Sequence, residues 1–315
     1  MEGDEGMRGK RATPPGRRRR IPAPVIRAAL AVMLLLAAGV WWLFGAGNAA
    51  PEVETVVVPW NPGGMTDLTA GALLGASAVD ASILNVPGAN GANGANRVYN
   101  APRDGKTLVC TSLSAFVTSR QLGFAEWDYT EWEIWLTAYA PYMIAVRDGS
   151  PYRTPEDLAE AAGGLICANA GSGTFGFVVS HLFAGETGID VQHMAYSGSG
   201  PAINSVLSGE SDFVFAPMSE IAPRSEGLRL LGETGFGEYY GIMAPKGVDE
   251  SFLRRCDKAW KAAVSEDSFT AFAESAGLIP QKIDREQSAL TAEKKASLIG
   301  WTLYDTGCVN VSPER

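Results

Sequence analysis

Three loops of this sequence place glycines and hydroxyl side chains directly before a predicted helix. They are Pro62 to Asp67, Gly171 to Thr174 and Ser197 to Pro201. The first turn of a helix offers backbone N–H groups without partners and the positive end of a dipole, so each loop could hold a carboxylate or a phosphate. Glycine lets a ligand approach the backbone, and hydroxyls add donors. Ordinary helix capping is the simpler explanation of any one loop, but three in one chain favour a ligand cleft.

Residue patterns that would indicate catalysis are scarce. The two histidines, His181 and His193, have no second histidine or cysteine at metal-ligand spacing. Ser172 and Ser199 do not fit Gly-x-Ser-x-Gly, and the sequence contains neither His-Glu-x-x-His nor a complete Gly-x-x-x-x-Gly-Lys-Ser/Thr. We therefore expect a binding protein with no enzymatic activity, no metal and no cofactor. An exported hydrolase that uses one of these serines is the alternative.

One loop also matches a dinucleotide-binding pattern. Gly171 to Gly176 reads Gly-x-Gly-x-x-Gly and follows a predicted strand. The acidic residue that should hold the ribose belongs at the end of the next strand, whereas Asp190 lies in the turn before it. We therefore reject a nicotinamide cofactor.

The elements that must position these loops are strands alternating with helices. The first strand is predicted at 51–60 and the first helix at 68–79, and the pattern restarts with the helix start Thr154-Pro155-Glu156-Asp157. Further strands are predicted at 83–86, 107–111, 142–146, 165–168, 191–196, 212–216 and 239–244, and the last helices at 249–266, 268–276 and 285–305. This alternation predicts a mostly parallel sheet in each half.

Composition and charge limit the partners. The chain has 315 residues and 46% hydrophobic content, which is enough for a substantial core. The net charge is −9, and it becomes −14 without the first fifty residues, which hold eight basic and three acidic residues. A body this acidic repels phosphate backbones, so we expect no nucleic-acid partner. Local dipoles must bind any anionic ligand.

The N-terminal segment predicts export. Residues 1–27 form a basic region that ends in Arg17 to Arg20 and Arg27, and residues 28–46 contain no charge. A basic flank followed by an apolar run is typical of an export signal, and nineteen residues are also about enough to span a bilayer. A cleaved signal peptide and a membrane anchor therefore both stay open. Either one places residues 51–315 outside the cytoplasm.

The four cysteines could form disulfides in that compartment. Cys110 and Cys167 lie in apolar, strand-like runs, where a buried free thiol is the simpler interpretation. Cys256, on a helix, and Cys308, after the final helix, form the candidate disulfide, because a bond between them would fix the C-terminus.

The same loops carry a family resemblance. The segments Pro59 to Asp67, Asn85 to Gly91, Pro102 to Gly105, Tyr196 to Ala202 and Met243 to Gly247 resemble successive motifs of the Bug-type receptors, the extracytoplasmic solute-binding proteins of tripartite tricarboxylate transporters. The resemblance covers about residues 53 to 305. It implies an α/β, two-lobed, type II periplasmic-binding-protein fold, with residues 52–146 and 242–315 as lobe 1 and 147–241 as lobe 2.

The resemblance also implies a function and a site. Such a monomeric receptor closes its lobes on a small organic carboxylate and delivers it to integral membrane permease subunits of a secondary transporter. In such receptors, backbone N–H groups and hydroxyls of two loops hold the carboxylate, and the matching loops here are 63–66 and 172–174. Asp67 matches the aspartate that ends the first motif. A simpler role for Asp67 is to stabilise a helix N-terminus. The predicted ligand-binding residues are Trp60, Gly63, Gly64, Thr66, Asp67, Ser112, Gly171, Ser172, Gly173, Thr174, Tyr196 and Ser199, with Tyr142 and Tyr240 as further candidate walls.

Three departures from the family pattern bear on the ligand and the partner. Phe177 stands where relatives often carry a histidine, and Ala216-Pro217 replaces a polar pair, which suggests a ligand with an apolar part. Between Leu231 and Tyr239 the chain is some twenty residues shorter than the pattern, so we expect the edge of the lobe, and with it the contact to the permease, to differ. A second alternative keeps the fold and makes the chain a membrane-anchored sensory subunit.

Overall fold

The computed structural model describes residues 32–33, 49–161, 163–171, 173–310 and 312–313. Three predicted features therefore lie outside the described residues: the basic region 1–27, all but two residues of the apolar segment 28–46, and Ser172. Within the described ranges, no helix has the length and apolar character that crossing a membrane requires. Residues 50–315 form one compact unit by themselves.

Strands alternate with helices through this unit, as predicted. The strands are β1 (Thr55–Val58), β2 (Ser82–Asn85), β3 (Thr107–Ser112), β4 (Trp132–Arg147), β5 (Leu165–Asn169), β6 (Val191–Ala195), β7 (Phe213–Pro217), β8 (Leu228–Pro245) and β9 (Ile279–Pro280). The helices are α1 (Met65–Ala76), α2 (Ala92–Tyr99), α3 (Leu113–Thr118), α4 (Pro155–Ala159), α5 (Phe175–Thr187), α6 (Ser199–Ser208), α7 (Met218–Ile221), α8 (Glu250–Ala263), α9 (Asp267–Ser275) and α10 (Arg285–Asp305).

The strands form one mixed sheet in the order β2-β1-β3-β8-β4-β7-β5-β6, and β9 pairs with β4. The predicted parallel pairing holds in the two outer parts, where β1 lies parallel to β2 and β3, and β5 lies parallel to β6 and β7. The centre is antiparallel, because β4 pairs with β7 and β8, and β8 also pairs with β3. Two long strands therefore join the two halves of the sheet.

Both central strands begin earlier than predicted. β4 starts at Trp132 and has 16 residues, and β8 starts at Leu228 and has 18 residues. Trp132 and Trp135 belong to β4, and both are buried in core clusters. The segment that is shorter than the family pattern is part of β8, and it pairs with β4 at Gly232, Glu233 and Gly237 to Tyr239, with an interruption at 234–236. Register shifts near Pro141 accommodate a residue that cannot donate a ladder hydrogen bond.

The predicted helix start at Thr154 is confirmed. Thr154 accepts a hydrogen bond from the Asp157 N–H at 3.2 Å, and Asp157 accepts one from the Thr154 N–H at 3.0 Å. This reciprocal capping box satisfies donors that the first turn of a helix leaves without partners. The helix α4 therefore begins at Pro155, as the sequence indicates.

The predicted disulfide between Cys256 and Cys308 is absent, because all four cysteines are free. Cys256 lies in the core where α8 packs on the sheet, whereas Cys308 is exposed beyond the end of α10, with its sulfur accepting a hydrogen bond from Thr306. Cys110 and Cys167 are buried free thiols, as predicted. Burial raises the pKa of Cys110 and of Cys256 to about 12, so both stay protonated.

Candidate functional site

A cavity of about 530 Å³ lies between the two halves of the sheet. Seven of the predicted ligand-binding residues line it: Trp60, Gly64, Thr66, Ser112, Gly171, Thr174 and Ser199. Gly63, Asp67, Gly173 and Tyr196 do not line it, and Ser172 lies outside the described residues. The three glycine and hydroxyl loops therefore converge on one space, as the sequence predicts, although not every residue in them faces it.

Three helices of ten or more residues begin at the cavity wall. The lining includes Gly64 and Met65 at the start of α1, Thr174 and Phe175 at the start of α5, and Ser199 at the start of α6. The positive ends of three helix dipoles thus meet at one place, which is the arrangement that favours an anion. No lysine, arginine or histidine stands among the described lining residues.

Asp67 holds the first loop together from outside the cavity. One of its oxygens accepts the Gly63 N–H at 2.9 Å, and the other accepts the Asn85 amide at 2.8 Å. The same amide group of Asn85 donates to the Trp60 carbonyl at 3.0 Å. Gly63 has a φ of +79°, which suits glycine and allows this tight turn. Both oxygens of Asp67 are thus engaged, which supports the simpler role at a helix N-terminus.

Thr174 organises the second loop. Its Oγ1 donates to the Gly171 carbonyl at 2.7 Å and accepts the Phe177 N–H at 3.5 Å, which makes it the N-cap of α5. The Gly171 N–H donates to Asn169 Oδ1 at 3.1 Å. These bonds hold the loop between β5 and α5 in the conformation that lines the cavity.

Aromatic rings form much of the cavity wall. Tyr142, Tyr240 and Trp60 line it, as predicted, together with Phe175, whose ring meets that of Tyr142 edge-on at 5.2 Å. Burial raises the pKa of both tyrosines, so each keeps its hydroxyl proton as a possible donor. Tyr196 is not part of the wall, because its hydroxyl bonds to Met194 and Ser211.

Two glutamates in the wall were not predicted. Glu238 is only 7% exposed and accepts from the Ser114 N–H at 3.1 Å and the Ser114 hydroxyl at 2.9 Å. Glu220 also lines the cavity and pairs with Arg224 at 3.3 Å. Burial raises the pKa of both carboxyls, while Lys295 opposes the rise at Glu238 and Arg224 opposes it at Glu220. No local motif marks either residue in the sequence.

Lys295 lies behind the wall rather than in it. It is 7% exposed, its Nζ donates to the Gly237 carbonyl, and the same atom lies 3.0 Å from the centre of the Phe175 ring. Burial lowers the pKa of Lys295 to about 7, although Glu238 acts in the opposite direction. Phe175 is among the residues that line the cavity, whereas Lys295 is not.

The two histidines stack on each other away from the cavity. Their ring centres are 3.7 Å apart, His193 bonds to Ser180 at 3.1 Å, and His181 bonds to the Phe177 carbonyl at 2.9 Å. These contacts support a structural role for both rings. Among the residues that the structure describes, no three His, Cys, Asp or Glu side chains are placed to share a metal ion.

The histidine pair predicts a pH dependence of stability. Burial, with a smaller contribution from His181, lowers the pKa of His193 from 6.5 to about 4. Between these values the unfolded chain binds a proton that the folded chain does not, so the free energy of unfolding falls as the pH falls from 6.5 to about 4. We expect His193→Gln to remove this part of the dependence, measured by urea unfolding across the window. A variant with the wild-type dependence would contradict the assignment.

Comparison with known proteins identifies the family. Residues 74–236, just over half of the chain, match the family described as the tripartite tricarboxylate transporter family receptor. The protein BugT of Bordetella pertussis is 25% identical to this chain in an alignment that covers 72% of this chain and 84% of BugT.

Solved structures share the fold. A Rhodopseudomonas palustris protein with adipate superposes with a TM-score of 0.69 at 19% identity, covering 81% of this chain and 97% of that one. MatC from Rhodopseudomonas palustris with bound malate superposes with a TM-score of 0.62 at 21% identity, and the match covers 78% of this chain and 96% of MatC. Together with a solved periplasmic transporter and the periplasmic binding protein BugD, these structures confirm the predicted two-lobed periplasmic-binding-protein fold. With the Bug-type motifs, the matched family region and the shared fold in agreement, this chain belongs to the tripartite tricarboxylate transporter receptor family.

Proposed function

We propose that this protein is a monomeric extracytoplasmic receptor that binds a small organic carboxylate and delivers it to the integral membrane subunits of a tripartite tricarboxylate-type transporter. Residues 28–46 export it or anchor it to the outer face of the membrane. The observation that carries the proposal is the meeting of three helix N-termini at one cavity without a cationic side chain in its described wall. Related structures that hold malate and adipate support the ligand class.

The bound state would form by closure of the two lobes. We place residues 52–146 and 242–315 in one lobe and 147–241 in the other, so that β4 and β8 carry the motion between them. Closure removes water from the cavity and lowers the local dielectric constant, which strengthens each N–H contact to a carboxylate. The acidic surface weakens binding little, because its charges are screened beyond roughly 8 Å in salt.

A hydrolase is the less favoured interpretation of the same cavity. Ser199 lines the wall, but a nucleophilic serine needs a base within hydrogen-bond reach. Both histidines are engaged with each other and with α5, and neither lines the cavity. The two glutamates of the wall are bonded to Ser114 and Arg224 rather than to Ser199.

Calorimetric titration of the purified protein, stripped of bound solute by unfolding and refolding, tests the proposal. We expect saturable binding of one carboxylate among dicarboxylates, tricarboxylates, aromatic carboxylates and acidic amino acids. Thr174→Ala should weaken it about tenfold, because the loop loses the hydroxyl bonds to Gly171 and Phe177 that hold its backbone against the cavity. Thr187→Ala, at the far end of the same helix, is the control and should bind like the wild type. Absence of heat from every carboxylate would contradict the proposal.

A further inference from the structure

Glu238 places a carboxylate of the protein itself inside the cavity wall. It comes from β8, is 7% exposed, and lines the cavity. Ser114 gives it both its backbone N–H and its hydroxyl, at 3.1 and 2.9 Å, and the Tyr239 N–H adds a third bond at 3.1 Å. The donors of Ser114, which could have held a carboxylate of the ligand, are therefore already used.

The geometry leaves one oxygen of Glu238 for the occupant of the cavity. All three of these hydrogen bonds end on Oε1, and none from another described residue ends on Oε2. Oε2 is not among the fully buried atoms that lack a partner, so water can reach it in the open cavity. A ligand that displaces this water must supply a donor in its place or leave the carboxylate oxygen unpaired at a cost. A hydrogen-bond donor of the ligand is thus needed at this end of the cavity.

The charges around this end favour a cationic donor. Glu220 brings a second carboxylate to the wall, and no cationic side chain stands among the described lining residues. The nearest compensating charges are not among the lining residues: Arg224 bonds to Glu220 at 3.3 Å, and Lys295, whose charge acts on Glu238, donates to the Gly237 carbonyl and lies against the Phe175 ring. A second carboxylate of the ligand would meet Glu238 without a cation between them, whereas an ammonium group would be attracted to it.

We propose that Glu238 is a specificity-determining residue that selects an amino monocarboxylate, a ligand with one carboxylate and one protonated amine, over a dicarboxylate. This inference rests on the proposed function and names the ligand class within it. The carboxylate of the ligand binds at the starts of α1, α5 and α6, and its ammonium group donates to Oε2 of Glu238. The aromatic wall formed by Trp60, Tyr142 and Phe175 contacts the carbon chain between the two groups.

Ligands matched in length test the selection on the wild-type protein. We would titrate dicarboxylates, simple monocarboxylates, 2-amino acids and ω-amino acids of the same chain lengths, from four to eight carbons, by calorimetry. The expected result is that an amino monocarboxylate binds at least about tenfold more tightly than the dicarboxylate of its length. A dicarboxylate that binds as tightly or more tightly would overturn the inference and leave the receptor function standing. Failure of every carboxylate to bind would overturn both.

Glu238→Gln then assigns the selection to this residue. Glutamine keeps an oxygen that can accept from Ser114 but removes the charge, so the amino ligand should bind at least about tenfold more weakly while the dicarboxylate binds equally well or better. Glu233→Gln makes the same chemical change at an exposed position of the same strand and should keep the wild-type preference. Equal losses for both ligand classes in Glu238→Gln would contradict a role in selection. If this variant does not fold, the comparison of amino monocarboxylates with dicarboxylates on the wild-type protein decides whether the cavity makes this selection.

Discussion

Replacing Gly241 with alanine should lower the free energy of unfolding by about 3 kcal/mol. Gly241 lies in β8 at the centre of the sheet, where it pairs with Thr111 of β3 and Leu136 of β4. A Cβ atom at this position would lie 2.3 Å from the Trp135 carbonyl oxygen and 3.0 Å from the Leu136 Cα. Both are backbone atoms of a paired strand, so no side-chain rotation can relieve the contact.

Urea unfolding of wild type and Gly241→Ala measures this effect. Gly75→Ala is the control, because Gly75 lies within α1 and a Cβ there meets nothing within 4 Å. Alanine suits a helix better than glycine, so this variant should be unchanged or more stable by up to about 1 kcal/mol. A loss below about 1 kcal/mol in Gly241→Ala would show that the two central strands can separate more easily than their pairing indicates.

The pairing of β4 with β8 also determines the geometry of the site, because both strands supply side chains to the cavity wall. β4 supplies Tyr142 to the cavity, and β8 supplies Glu238 and Tyr240. These three side chains are buried and reach the cavity from strands that belong to neither outer part of the sheet alone. A shift in the pairing of the central strands would therefore move one wall of the cavity relative to the helix N-termini that face it.

Local sequence signals predicted the part of the site that local structure builds. Thr174 and Gly171 follow a strand and precede a helix, and that order alone places backbone donors at the carboxyl end of a sheet. The capping box at Thr154 and Asp157 could be predicted for the same reason, because its two hydrogen bonds join residues three positions apart. Predictions of this kind need no knowledge of how distant segments pair.

The rest of the site depends on contacts between distant segments. Glu238 meets Ser114 across 124 positions, and Lys295 reaches the Gly237 carbonyl across 58 positions. Nothing in the sequence around these residues indicates burial, because a lone glutamate or lysine is usually exposed. The early starts of β4 and β8 were missed for a related reason, since pairing between the two strands, and not a local period, extends both of them.

Gly198→Ala should weaken ligand binding by about tenfold to a hundredfold while the fold is retained. Gly198 is the N-cap of α6 and lines the cavity, with φ of 128° and ψ of 168°. Residues other than glycine almost never adopt this region, and holding one there costs about 1–3 kcal/mol. A Cβ atom at Gly198 meets nothing within 4 Å, so the effect would come from backbone conformation and not from a clash.

The loop has two ways to respond to that strain, and binding distinguishes them. It can keep its conformation at a cost to stability, or it can relax and move Ser197 and Ser199 away from the ligand. We expect relaxation, because this loop borders open cavity space and nothing within 4 Å of the Cβ position resists the movement. Calorimetry would then show weaker binding with a small change in melting temperature, while Gly185→Ala, in α5 with nothing within 4 Å, should bind like the wild type. Undiminished affinity with a lower melting temperature would instead mean that the rest of the fold holds this loop rigidly, so that its donors are preorganised before the ligand arrives.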